Sequence, residues 1–258
     1  ANRAGLSLKD TVEFAASTSA GCAIATAALL DRSDEALALF VEMTARNPAN
    51  IHWRNLPPWQ PKPLLPHIHM YRQALEAFLR AEDLVALQHR RLAFLMAKSP
   101  RYLRGLAAAL AAFSLYGLEK HLTSRVHPRW TRRLGFEPLV AGNQEASSPM
   151  DLIEIILNAS CVPPVLPSMG YQGVAVLDGG MIDNVPAFLT DDQPGDTLVL
   201  LSKRYRGGVP AIPGRCYVQP STNIALDKFD YANPEGLQAT YALGYRDGEQ
   251  FARDQRKH

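Results

Sequence analysis

The sequence predicts an α/β fold in which a mainly parallel central sheet is flanked by helices. Short apolar segments typical of buried strands recur in both halves of the chain, and helical segments lie between them. The chain has 258 residues, of which 47% are hydrophobic and 20% charged, so it is long enough to bury a sizeable core. We therefore expect one domain covering residues 1–258.

The N-terminal elements follow one another closely. The run DTVEFAAS, from Asp10 to Ser17, predicts a buried strand, and the alanine-rich run from Ala20 to Leu30 predicts a helix. A second helix is expected from Ser33, as its N-cap, to Arg46, because the following Asn47-Pro48 pair stops it. The residues between the first strand and the first helix therefore form a strand-to-helix turn.

The middle of the chain predicts a mostly helical insertion at about residues 47–123. A proline-rich loop at 47–66 comes first, and a segment expected to be mostly helical runs from His67 to about Leu118. The longest apolar stretch, Gly105 to Leu118, is shorter than the roughly 20 residues needed to cross a bilayer. A buried helix is favoured there, and the alternative is a helix that rests in a membrane interface or lines an acyl-chain pocket.

The second half returns to short apolar strands. They are expected at 136–142, 173–180, 196–203 and 215–221, with helices near 151–158 and 234–256. Strands that alternate with helices in this way are typical of a parallel sheet.

Charge and cysteine content argue against several classes of protein. The net charge of +2 implies no long-range attraction to nucleic acid, and no nucleic-acid-binding motif occurs. Cys22, Cys161 and Cys216 are odd in number and widely spaced, so neither a disulfide framework nor a zinc site is predicted. We expect a cytoplasmic protein that needs no metal and no organic cofactor.

The clearest chemical signal is the run STSAG, which differs by one residue from G-x-S-x-G. That pattern marks a sharp strand-to-helix turn, the nucleophile elbow, which exposes a reactive serine. Here Ser19 is the candidate nucleophile, Gly21 occupies the second glycine position and Ser17 replaces the first glycine. The backbone N–H of Ala20, next to the serine, is a candidate oxyanion donor. A non-glycine residue at position 17 would be strained if the backbone there required a positive φ.

Histidines that could act as the base are poorly placed. Only His258 follows the strand at 173–180, and it ends a polar tail. The HIH run at 67–69 lacks a third metal ligand, so no metal site is predicted. A histidine base is disfavoured, but the helical block and its connector leave six alternatives, which are His52, His67, His69, His89, His121 and His127.

Asp178 is the other candidate base. It ends an apolar strand and directly precedes Gly179 and Gly180, and in α/β sheets such strand ends face the ligand crevice. Because Asp-Gly is also common turn chemistry, a purely structural aspartate is the alternative.

Taken together, STSAG and the later LDGGMIDNVP resemble the motifs of the patatin-like phospholipase family, bacterial members in particular. NASCVPPVLPS at 158–168 is similar to the family's segment before its D-G-G strand, and the runs at 217–221, 229–238 and 241–251 are similar to its closing region. The resemblance implies a three-layer α/β/α fold and a Ser-Asp dyad, with Ser19 as nucleophile, Asp178 as base, and Gly179 and Gly180 in the active-site loop. It also implies a lipid ester as substrate, an acyl-serine intermediate, and peripheral contact with a membrane, the inner membrane in a bacterium.

The family also carries a G-G-G-x-[RK]-G loop whose backbone N–H groups form the main oxyanion hole. The 258 residues contain no such run, and their first ten resemble the end of the helix that follows the loop. We therefore expect the main oxyanion loop to lie outside this chain. Two other functions stay open: a non-catalytic lipid-binding or scaffold protein on the same fold, and an unrelated serine esterase with a histidine base.

Overall fold

The computed structural model describes residues 8–55, 64–100, 102, 114, 127, 133–167, 170–205 and 207–255. In chain order the helices and strands are α1 (Leu8–Thr11), β1 (Phe14–Ser17), α2 (Gly21–Leu29), α3 (Ser33–Arg46), α4 (His67–Phe78), α5 (Ala81–Ala86), β2 (Arg91–Lys98), β3 (Glu137–Ala141), α6 (Pro149–Ala159), β4 (Val176–Asp178), β5 (Thr197–Leu200), β6 (Arg215–Val218) and α7 (Pro234–Gln255). No helix among the described residues is long and apolar enough to cross a membrane.

Strand β2 is the centre of a four-stranded sheet. β1 pairs with it in parallel, with Ser17 opposite Phe94. β3 and β4 both pair with residues 96–98 of β2, and both run antiparallel to it. Because one stretch of strand has only two edges, β3 lies on one edge and β4 on the other, the edge that β1 also occupies.

The shared edge explains how distant parts of the chain meet. β1 ends beside Phe94 and β4 ends with Asp178 beside Met96, so the carboxyl ends of both strands point at each other across Leu95. The turn that contains Ser19 follows β1 directly and therefore lies next to the end of β4.

The core forms around β2 because its side chains from 92 to 97 are all apolar and all buried. Such a continuous apolar run is typical of a strand that is covered on both faces. Helix α6 contributes a second apolar set, including Ile155 and Ile156. Its N-terminus is closed by a capping box in which the Asp151 N–H donates to Ser148 Oγ and the Ser148 N–H donates to the Asp151 carboxylate.

A turn at residues 227–233, which we call the tail turn, is attached to the start of α4. The Asn50 side chain donates to Asp230 Oδ1 at 3.0 Å and accepts from the Tyr231 N–H at 2.7 Å. One ring nitrogen of His67 lies 2.9 Å from the Phe229 carbonyl oxygen. The tail turn is therefore bonded both to the segment that follows α3 and to the first residue of α4.

The predicted α/β class, with helices flanking a central sheet, is confirmed. The sheet is less parallel than predicted, since parallel pairing is limited to β1 with β2 and to β5 with β6, which form a second, two-stranded sheet. All five predicted strands contain an observed one, although Asp10 and Thr11 belong to α1. Helix α3 begins at Ser33, but Arg32 is its N-cap, and the Arg32 guanidinium forms ion pairs with Glu35 and Asp83.

The prediction of helix from His67 to Leu118 is confirmed for α4 and wrong for β2. Leu, Ala, Met and Lys favour helices, and a short apolar run does not by itself distinguish a buried strand from a buried helix. Most of residues 101–132 lie outside the described ranges, as does the stretch 56–63 of the proline-rich loop. The boundaries of a single domain with an insertion at 47–123 stay a prediction.

Candidate active site

Ser19 lies at the tip of a tight turn between β1 and α2. Its φ of +55° is in the left-handed region, which is uncommon for a serine. The turn is held by hydrogen bonds from the Gly21 N–H to the Thr18 carbonyl at 3.0 Å and from the Ser19 N–H to the Ala159 carbonyl at 3.2 Å. A strained residue that its surroundings hold in place is a common feature of functional sites.

Ser17 fits the first glycine position without backbone strain. Among the described residues, the positive-φ set that includes Ser19 does not include Ser17. A Cβ placed on Gly21 would lie 3.5 Å from Ser17 Cβ, an ordinary contact distance. Serine at this position therefore adds a buried hydroxyl that makes no well-aligned hydrogen bond to a described residue, although it acts on the Cys22 thiol.

Asp178 is 4% exposed and faces Ser19. Its Oδ1 accepts from the Gly180 N–H at 2.6 Å, and its carboxylate lies within hydrogen-bonding reach of the Ser19 hydroxyl. Burial raises the pKa of Asp178 above the ordinary value, because removal from water penalises the charged form. Interaction with the Ser19 hydroxyl, the hydrogen bond from the Gly180 N–H and the positive charge of Lys228 offset part of that rise in pKa.

The two glycines after Asp178 allow the end of β4 to approach β2 and the serine turn. A Cβ on Gly179 would lie 2.0 Å from the Leu95 carbonyl oxygen and 2.5 Å from Thr18 Oγ1. A Cβ on Gly180 would lie 2.4 Å from Asn184 Oδ1. The Leu95 carbonyl belongs to the backbone of β2, so the close approach requires glycine at position 179, whereas a Cβ at position 180 would require the Asn184 side chain to move.

Ala20 and Gly21 follow the serine in the predicted elbow, and Ala20 is the candidate oxyanion donor. Of these two residues, Ala20 has the free backbone N–H. The Gly21 N–H is bonded to the Thr18 carbonyl. The Ala20 N–H donates no hydrogen bond to another described residue, and Ala20 is exposed. This N–H lies at the start of α2, where the helix dipole favours negative charge.

Three of the five histidines in the described ranges make their hydrogen bonds away from Ser19, and no bond joins the other two, His69 and His89, to Ser19. His52 bonds to Asn47 and His67 to Phe229, while His127 lies 2.8 Å from Asp183 and 3.1 Å from the Tyr217 hydroxyl. His121 and His258 are outside the described ranges. Within those ranges, no group of three His, Cys, Asp or Glu side chains could hold a metal ion.

Two residues near the site carried no signal in the sequence. Lys228, in the tail turn, acts electrostatically on Asp178 although fifty residues separate them. Tyr71, on α4, is buried and lies within electrostatic reach of the same carboxylate. Both residues lie in segments for which the sequence predicts no contact with Asp178. Their position near the site is visible only in the tertiary structure.

Comparison with known families agrees with the sequence resemblance. The model of the patatin-like phospholipase family matches residues 2–191, well over half of the chain. No curated protein sequence matches the chain. Because the family match covers the serine turn, the central sheet and the Asp-Gly-Gly loop, the chain belongs to the patatin-like phospholipase family.

Proposed function

We propose that this protein is a serine hydrolase that cleaves ester bonds of lipids, with Ser19 as nucleophile and Asp178 as general base. Membership of the family implies a lipid acyl hydrolase. The observation that carries the proposal is that β1 and β4 meet on one edge of β2, with the Ser19 hydroxyl close to the Asp178 carboxylate. A serine hydroxyl is a weak nucleophile until an adjacent base takes its proton.

The reaction would proceed in two halves. In the first, Asp178 takes the proton of Ser19 while Oγ attacks the ester carbonyl, and the protonated carboxyl then gives that proton to the leaving alcohol. The product is an acyl-serine. In the second half, Asp178 takes a proton from water, which attacks the acyl-serine, and Ser19 recovers its proton as the fatty acid leaves.

The environment of Asp178 suits this task. An aspartate in water is a weak base, with a pKa of about 3.9. Burial raises the pKa of Asp178 and so makes it a stronger proton acceptor when it is ionised. The Ala20 N–H would donate a hydrogen bond to the oxyanion.

Substrates of the phospholipase A or lysophospholipase type fit the proposal, because the family acts on lipids. Such esters reside in membranes and micelles, so the proposal includes transient contact of the protein with a lipid surface.

A fluorophosphonate probe tests the proposal directly. It reacts with activated serines, and we expect it to label the full-length protein at Ser19, as located by peptide mass spectrometry. Asp178→Asn should slow labelling by about 100-fold or more, because the amide does not accept the proton. Fatty-acid release from phospholipid and lysophospholipid vesicles, measured on the same samples, should fall in parallel.

The outcome also separates the alternatives. Lipid binding without labelling or fatty-acid release would favour a non-catalytic lipid-binding protein on this fold. Labelling at Ser19 that survives Asp178→Asn but is lost in a single His→Ala variant would favour a histidine base.

Lys228→Gln provides a pH-dependent prediction. The base must be ionised, so kcat/KM rises with pH through the pKa of Asp178, and the Lys228 charge lowers that pKa. Removal of this charge should move the acidic limb of the pH profile of kcat/KM to higher pH, by about 0.3 to 0.5 unit at low ionic strength. The shift should be smaller at high salt. Lys203→Gln is the matched control, because the Lys203 ammonium lies over the Tyr205 ring. An acidic limb at the same pH in wild type, Lys228→Gln and Lys203→Gln would contradict the prediction.

A further inference from the structure

The hydroxyl of Thr18, the residue before Ser19, is a buried polar group that the proposed reaction does not use. Thr18 is 7% exposed, and its Oγ1 lies 3.3 Å from the Leu95 carbonyl oxygen of β2. Because a carbonyl has no proton to give, the hydroxyl donates this bond. The distance exceeds the usual O–H···O range of about 2.5–3.0 Å, so the bond is weak. Its importance therefore lies in where it is made.

The contact is made at the point where β1 and β4 meet. Leu95 is the single residue of β2 between the one opposite Ser17 and the one opposite Asp178. Gly179 approaches the same carbonyl, since a Cβ built on it would lie 2.0 Å from the Leu95 oxygen and 2.5 Å from Thr18 Oγ1. The Thr18 hydroxyl therefore lies beside both the main chain of β2 and the residue that follows the proposed base.

The main chains of Ser19 and Asp178 are both held by the chain at the end of α6. The Ser19 N–H donates to the Ala159 carbonyl at 3.2 Å, and the Asp178 N–H donates to the Cys161 carbonyl at 2.8 Å. Neither bond joins the serine turn directly to the end of β4. The Thr18 side chain belongs to the serine turn and reaches the end of β4, so it can set the spacing between the two.

We propose that Thr18 is a positioning residue for the Ser19–Asp178 pair, and that its hydroxyl holds the serine turn against β2 at the spacing in which Asp178 can take the serine proton. The inference rests on the proposed function. Proton transfer requires the two oxygens to lie about 2.6–3.2 Å apart, so a small change in spacing strongly affects the rate. The Thr18 hydroxyl also lowers the pKa of Asp178 against the larger effect of burial, which agrees with its place beside the carboxylate.

The test compares three substitutions of Thr18 in the full-length protein, with p-nitrophenyl butyrate as a soluble ester. Thr18→Val replaces the hydroxyl by a larger methyl group that cannot donate to the Leu95 carbonyl and presses on Gly179. We expect kcat to fall by about 10- to 100-fold with KM nearly unchanged, because the pair is misplaced while ground-state binding is kept. Thr18→Ala removes the hydroxyl without added bulk and should lower kcat by about 10-fold. Thr18→Ser keeps the hydroxyl and should stay within about 3-fold of wild type.

Thr26→Val is the matched control. Thr26 is also buried, and its hydroxyl donates to the Cys22 carbonyl at 2.8 Å within α2. The variant loses a buried hydroxyl bond of the same kind, so Tm should fall, but kcat and KM should keep their wild-type values. The comparison separates the loss of a buried hydrogen bond from misplacement of the Ser19–Asp178 pair.

Wild-type kcat in Thr18→Ala would overturn the inference, and so would a Thr18→Ser variant as impaired as Thr18→Ala or a change confined to KM. If Thr18→Val does not fold, the pair of Thr18→Ala and Thr18→Ser decides by the same criteria. Ser19→Ala is measured alongside. Ester hydrolysis that survives Ser19→Ala refutes the proposed function itself, whereas Ser19-dependent hydrolysis with unchanged kcat in the Thr18 variants refutes only the role of Thr18.

Discussion

Ser19→Ala is expected to lower the hydrolysis of lipid esters by about 1000-fold or more, with little change in the binding of substrate. The Ser19 hydroxyl oxygen is the atom that becomes acylated in the proposed mechanism. It also lies next to Asp178, the proposed base at the end of β4. Fatty-acid release from lipid vesicles at saturating substrate measures the loss in kcat, and a vesicle sedimentation assay measures binding.

The same site allows a second measurement that does not depend on activity. Ser19 has a φ of +55°, which glycine adopts at little cost and which strains serine and alanine. Ser19→Gly should therefore be more stable than Ser19→Ala by about 1 kcal/mol in urea unfolding, with both variants inactive. Ser147→Ala, at an exposed serine, is the matched control and should keep full activity. Activity that persists in Ser19→Ala would exclude Ser19 as the nucleophile.

Gly179→Ala is expected to lower the free energy of unfolding by about 3 kcal/mol and to remove most of the activity. The new methyl carbon would lie 2.0 Å from the Leu95 carbonyl oxygen and 2.5 Å from Thr18 Oγ1. Relief of this overlap requires movement of the end of β4 away from β2. That movement also takes Asp178 away from Ser19, so stability and activity should fall together.

Gly244→Ala is the matched control for this substitution. Gly244 lies in α7 with open space around the position of a Cβ, and alanine favours helix, so the variant should gain about 0.5 to 1 kcal/mol. Thermal unfolding and fatty-acid release on the two variants distinguish the clash from a general effect of Gly→Ala. Wild-type stability in Gly179→Ala would mean that β4 does not approach β2 as closely as the structure indicates.

Local sequence patterns were sufficient for the parts of the site that depend on near neighbours. A serine and a small residue between a short strand and an alanine-rich helix predict a tight turn. The turn at Ser19 has that form. The Asp-Gly-Gly run indicated an aspartate at the end of an apolar strand, and Asp178 is the last residue of β4. These features could be predicted because the residues that create them are adjacent in the chain.

The sequence by itself therefore determined the α/β class, most helices and strands, and the candidate pair of Ser19 and Asp178. Only the tertiary structure decided that β2 is the central strand, that β1 and β4 share one of its edges, and that Lys228 comes within electrostatic reach of Asp178. The physical reason is that strand pairing and burial depend on contacts between residues far apart in the chain. An apolar run such as residues 92–97 suits either helix or strand until its neighbours on both edges are in place.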